Sequence, residues 1–62
     1  MKIGFIGLGN VGSKLAGSLL RNGFDLTVFD LNSQLVEKFA SKGAGTGEDP
    51  AHLMRLCDLV IT

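Results

Sequence analysis

Apolar and polar positions along this chain switch between two periods. Lys2–Ile6, "KIGFI", is a short run with β-branched and aromatic residues, bounded by a glycine. Both of its faces carry apolar groups or none, which predicts a buried strand. From about Asn10 to Asn22 the spacing becomes helical. Val11, Leu15 and Leu19 recur at i, i+4 and i+8, with Ala16 and Leu20 beside them, and this stripe is expected to face the core. Gly12 and Ala16, small and four apart, predict a helix edge that comes close to a sheet. Lys14, Ser18 and Arg21 fall off the stripe, and Arg21 suits the negative end of the helix dipole. Gly23 then supplies a left-handed stop.

Phe24–Phe29, "FDLTVF", is rich in strand formers and ends at Asp30. Asn32 is placed to cap a second helix, with Leu35, Val36, Phe39 and Ala40 inward and Glu37, Lys38 and Lys42 outward. Gly43 stops it. Residues 44–47 have room for a very short strand. Asp49-Pro50 opens a third helix, the acid as cap and the proline at the first helical position, with Leu53 and Leu56 turned inward. "CDLVIT", residues 57–62, reads as a last buried strand.

The order β-α-β-α-(β)-α-β places the chain in the α/β class: a Rossmann-type, doubly wound parallel sheet, of which only the N-terminal β-α-β-α-β part is present. In the common strand order 3-2-1-4 the last strand lies beside the first, leaving Leu59, Val60 and Ile61 as an apolar edge. The chain has 62 residues, 45% of them apolar, with nine glycines and no disulfide or metal staple. A core that small is marginal alone. Residues 1–62 are therefore expected to be the first part of an NAD(P)-binding domain, with the rest of that domain and a substrate domain elsewhere.

Charge changes the picture by exclusion. Six basic and six acidic residues balance, so there is no electrostatic footprint for nucleic acid or an anionic membrane. The apolar runs are too short to span a bilayer, and Met1-Lys2-Ile3 lead into a strand rather than a secretory signal. A single cysteine fits a reducing compartment, and the cytoplasm is the expected location. One Cys and one His cannot build a metal site.

The candidate chemistry sits in "FIGLGNVG", residues 5–12. Gly7, Gly9 and Gly12 match G-x-G-x-x-G between a strand and a helix. Gly7 permits the tight turn, Gly9 lets a pyrophosphate approach the backbone, and Gly12 lets helix and strand pack closely. The N–H groups of the first helical turn, about Asn10 to Gly12, would point at the anion, so no cation is needed. The plainer reading is a tight strand-to-helix turn with no ligand. Asp30 stands eighteen residues after Gly12, at the end of the second strand. Its carboxylate can accept from both hydroxyls of an adenosine ribose and would repel a 2′-phosphate. Leu31, Asn32 and Ser33 bring no cation to attract one, so NAD is favoured over NADP. The plainer reading of Asp30 is solvation of a strand end or help in capping the next helix. Candidate cofactor contacts are therefore Gly7, Leu8, Gly9, Asn10, Val11, Gly12, Asp30, Leu31 and Asn32. His52 reads as a surface histidine, Cys57 as a small hydrophobe, and Asp58 as the exposed start of its strand. No residue is a candidate catalytic acid, base or nucleophile.

"KIGFIGLGNVGSKLAGSLLRNGFDLTVFD" resembles the N-terminus of the 3-hydroxyisobutyrate dehydrogenase family of β-hydroxyacid dehydrogenases, whose cofactor domain is of the 6-phosphogluconate dehydrogenase type. "GEDPAHLMRLCDLVIT" is similar to that family's S-P-A-E helix and A-D-V-V-I-T strand, so the likeness covers essentially the whole chain. Val11 replaces the Met of the family's F-I-G-L-G-x-M-G signature, and Leu15 also differs, but both stay apolar. The resemblance implies that residues 7–12 embrace the pyrophosphate and Asp30 holds the ribose. Asp30-Leu31, where NADP-preferring members often show Asn-Arg, points to NAD. It further implies a homo-oligomeric parent enzyme passing hydride between a small hydroxy acid and NAD, with its substrate-binding Ser/Gly-Gly segment and catalytic Lys beyond residue 62. A different class remains open: a non-catalytic nucleotide-sensing domain of a potassium-transport system, which also begins G-x-G-x-x-G and ends its second strand on an acid. "GTGEDP" lacks the Gly-Asp-Ala those domains tend to carry, and Asn10 replaces their usual Arg. A flavoprotein ranks third, since it would more often place Glu at the position of Asp30.

Overall fold

The computed structural model describes residues 1–62. Seven elements follow one another: β1 (Lys2–Ile6), α1 (Asn10–Arg21), β2 (Asp25–Phe29), α2 (Ser33–Ala40), β3 (Gly45–Thr46), α3 (Pro50–Leu56) and β4 (Leu59–Ile61). The four strands form one parallel sheet in the order β3-β2-β1-β4. Lys2 to Ile6 run in register with Asp25 to Phe29, and Ile3 to Phe5 with Leu59 to Ile61. The expected doubly wound arrangement is present.

Alternation along β1 and β2 divides the two faces of the sheet. Ile3, Phe5, Leu26 and Val28 are buried in one cluster with Leu8, Ala16, Phe39 and Ala44, and Leu19, Leu20, Leu35 and Val36 pack against it. That is the α1/α2 face. Gly4 and Thr27 turn the other way. A Cβ on Gly4 would meet the Cys57 Sγ at 2.9 Å and the Leu53 Cδ2 at 3.2 Å, so the missing side chain makes room for α3. Leu53 fills that room and is fully buried.

Local signals close the elements where the sequence places them. Asn32 Oδ1 accepts from the Gln34 amide at 3.0 Å, and Asp49 Oδ1 from the His52 amide at 2.7 Å, capping α2 and α3. Gly23 and Gly43 follow α1 and α2 with positive φ. At the opposite edge Asp58 ties β4 to β1 in both directions. The Lys2 amide donates to Asp58 Oδ2 at 2.8 Å, and the Asp58 amide donates to the Lys2 carbonyl at 2.8 Å.

Four expectations about side-chain direction, and the start of the last strand, need correction. Val11 and Leu15 are 81% and 47% exposed, whereas Ala16 is wholly buried. The buried line of α1 runs through Gly12 and Ala16 with Leu19 and Leu20 flanking it, because close approach of small residues, not the bulkiest stripe, sets the angle of the helix. Ala40 and Leu56 are exposed as well, each at the last residue of a short helix. The last strand is shorter and more open than read. Cys57 caps α3, β4 begins at Leu59, and Leu59 is 48% exposed because β4 is an edge.

Candidate cofactor site

The glycine segment leaves β1 at the C-terminal edge of the sheet. Gly7 has φ of 94°, a conformation L side chains avoid, and its amide donates to the Phe29 carbonyl at 3.0 Å. This bond continues the β1–β2 ladder one residue past the strand and swings the chain up into α1. Gly12 answers a different demand. A Cβ there would overlap the Gly7 carbonyl oxygen and come within 3.3 Å of Phe5 Cε1. At Gly9 a Cβ would meet nothing within 4 Å. The three glycines thus serve conformation, packing and open space in turn.

α1 begins without a side-chain cap. Its first backbone bond into the turn runs from the Ser13 amide to the Gly9 carbonyl, at 2.7 Å. The amides of residues 10–12 precede it and form the open, positive end of a twelve-residue helix. Gly9, the residue with free space over its Cα, sits at this end as the N-cap. A helix terminus of this kind favours an anion.

Asp30 stands beside the same turn. Its Oδ2 accepts from the Leu8 amide at 2.6 Å, and its Oδ1 accepts from the Asn32 amide at 2.8 Å. These two backbone donors, Leu8 the stronger, hold the carboxyl below its ordinary value near 3.8. The group is an anion at neutral pH. A carboxylate offers about four lone-pair directions, and two are used here, so two remain for hydroxyl donors. The site fits a dinucleotide: an open backbone for the phosphates next to a fixed anionic acceptor.

The other expected contacts separate by what they still have to offer. Leu8 has a fully buried side chain, its amide is taken by Asp30, and its carbonyl accepts from Ser13 Oγ at 2.6 Å. Both of its backbone groups are engaged within the turn itself. Leu31 is 95% exposed directly after Asp30, and Val11 stands exposed on the first turn of α1. Asn32 commits its amide to Asp30 and its side chain to capping α2. Ser13 was missed by sequence reading. Its only signal was a hydroxyl one residue past the third glycine, which does not reveal an acceptor five positions back.

Nothing else in the chain rivals this place. A cleft of about 300 Å³ lies between the C-terminal ends of α1 and α2, lined by Gly17, Leu20, Arg21 and Lys42, and contains no residue of the glycine turn. The chemistry of the turn and not its concavity therefore marks the site. No group of three or more His, Cys, Asp or Glu gathers to hold a metal. Cys57 is half-buried, and that burial raises its thiol pKa, with Lys2 and a Thr27 hydrogen bond pulling back the other way. No helix is long and apolar enough to cross a membrane.

A parallel sheet ordered β3-β2-β1-β4, with a glycine turn leaving β1 and an acid ending β2, defines a dinucleotide-binding α/β unit. Residues 2–62 match the model of one such family, the NAD binding domain of 6-phosphogluconate dehydrogenase. The chain belongs to that family. It is 42% identical over 60 residues to 3-sulfolactaldehyde reductase of Escherichia coli (strain K12), covering 97% of this chain and 20% of the relative. It is 37% identical over 60 residues to a probable mitochondrial 3-hydroxyisobutyrate dehydrogenase of Arabidopsis thaliana, covering 97% and 17%. Among solved structures, an imine reductase from Pseudomonas sp. superposes with a TM-score of 0.88 at 25% identity, covering 95% of this chain and 20% of that one. The chain therefore spans about a fifth of the length of the curated relatives it matches. The resemblance drawn from the sequence holds, and the potassium-transport alternative is not favoured.

Proposed function

We propose that this chain is the cofactor-binding part of an NAD-dependent dehydrogenase that moves a hydride between a small hydroxy acid and NAD. The observation that carries the reading is the pairing of an uncapped α1 N-terminus, open at Gly9, with the ionised Asp30 carboxylate beside it. Gly9, Asn10, Val11 and Gly12 would receive the pyrophosphate through backbone donors and bare space. Asp30 would accept from the ribose hydroxyls with its two free lone-pair directions, and the exposed Leu31 would offer apolar surface to the adenine. NAD is preferred to NADP because a 2′-phosphate would meet a carboxylate, and residues 31–33 carry no cation to offset it. The nicotinamide, when bound, supplies the hydride chemistry; the residues of this chain bind and orient.

The substrate class rests on the relatives, which are named for reductases and dehydrogenases of small oxygenated compounds. Substrate-binding and catalytic groups, and the contacts of a homo-oligomer, belong to the rest of the protein. NAD titration of the protein by calorimetry tests the cofactor reading. Binding that disappears in Gly9→Val, with the melting temperature unchanged, supports it. Normal NAD binding by a folded Gly9→Val variant would overturn it, since the added isopropyl group occupies the space the pyrophosphate needs.

A further inference from the structure

The Leu8 peptide is gripped from both ends. Its amide donates to Asp30 Oδ2 at 2.6 Å across 22 residues of sequence, and its carbonyl accepts from Ser13 Oγ at 2.6 Å. The side chain between them is fully buried, and the Gly7 amide just before it is bonded to Phe29. The backbone from Gly7 to Gly9 is thus tied to β2 on one side and to α1 on the other. Without these ties the segment would combine two glycines of high conformational freedom with a single anchored leucine. A turn ordered before binding loses less entropy when an anion arrives.

We propose that Ser13 and Asp30 are positioning residues that preset the glycine turn for the phosphates, so that Asp30 serves both the pyrophosphate and the ribose. This rests on the dinucleotide reading but assigns a role to Ser13 that the reading does not require. It also separates two functions of one carboxylate. Oδ2 holds the turn and Oδ1 accepts from the Asn32 amide just before α2, which leaves two lone-pair directions of the carboxylate unused. The backbone contribution acts on any nucleotide diphosphate, whereas the ribose contribution needs the hydroxyls.

The test uses ligands that separate these contributions. Calorimetry of the protein and of Ser13→Ala, Ser13→Thr and Asp30→Ala is run with NAD, NADP and 2′,3′-dideoxy-ADP, which keeps the diphosphate and lacks both ribose hydroxyls. Ser13→Ala is expected to weaken all three ligands by the same factor, about two- to tenfold for one lost hydrogen bond. The NAD to NADP ratio stays constant, and Ser13→Thr restores binding. Asp30→Ala is expected to weaken 2′,3′-dideoxy-ADP as well, although it removes a negative charge. Dideoxy-ADP that binds Asp30→Ala as tightly as the parent, or tighter, would show a ribose role alone and overturn the proposal. So would a Ser13→Ala variant with unchanged affinities. Hydrogen exchange at the Leu8 amide supplies a readout without ligand: both alanine variants should exchange faster, and unchanged protection refutes the clamp. If the parent bound no nucleotide, the cofactor reading would fall, and the exchange rates would still decide whether the clamp exists.

Discussion

Replacing Gly12 with alanine adds one methyl group at the tightest point between α1 and β1. That Cβ would overlap the Gly7 carbonyl oxygen and approach the Gly7 carbonyl carbon and Phe5 Cε1 at 3.3 Å. Backbone at a positive-φ residue cannot turn aside as a flexible side chain would, so the helix itself must move. Over-packing of this kind costs about 1–3 kcal/mol, and a rigid partner puts this site near the upper value. Alanine returns up to about 1 kcal/mol through helix propensity. The net loss is roughly 2 kcal/mol, which lowers the melting temperature of a cofactor domain of about 150–250 residues by about 4–8 °C. Thermal unfolding followed by circular dichroism reads it directly. Gly17→Ala is the control, because its Cβ meets only the movable Arg21 Nη1 at 3.3 Å. That variant should melt at or above the parent temperature. A Gly12→Ala protein that melts no lower than the parent would refute the claim that close approach sets the position of α1.

Further expectations follow from the same geometry. Asp30→Ala should weaken NAD more than NADP, since it removes a hydroxyl acceptor for one and a repulsion for the other; equal losses by calorimetry would defeat the ribose assignment. Because the folded Asp30 carboxyl lies below its ordinary value of 3.8, its stabilising effect is fully present above that value. It is lost as pH falls through the lower folded value. Melting temperatures taken between about pH 2 and pH 6 should therefore fall at the acid end, and by less in Asp30→Asn, which carries no titrating group at that position. The Cys57 thiol, half-buried and shifted upward, should react with iodoacetamide at pH 8 more slowly than free cysteine, and a faster reaction would contradict its burial against Gly4.

Much of the fold was legible because its signals are local. The caps at Asn32 and Asp49 act on amides two and three residues ahead, so a short window of sequence contains both partners. Strand and helix order follows from periodicity over a few residues, and the handedness of the crossovers then leaves few topologies. The glycine spacing was equally readable, since each position is defined by its offset from the others. Side-chain direction on α1 was not. Val11 and Leu15 look like core by spacing but lie outside it, because the angle at which a helix meets a sheet depends on where the backbones can touch.

The sequence by itself determined the class of this protein: a parallel α/β unit with a dinucleotide fingerprint, built from runs that carry their own turns and caps. Only the tertiary structure decided what the fingerprint is made of. Asp30 reaches Leu8 across 22 residues, and Asp58 reaches Lys2 across 56. Bonds of that span exist only once the register of β1 with β2 and β4 has brought the strand ends together. Sequence periodicity describes how a segment folds on itself, whereas these contacts depend on how segments lie beside one another. The acid expected to await a ribose is for that reason also the acid that holds the glycine turn.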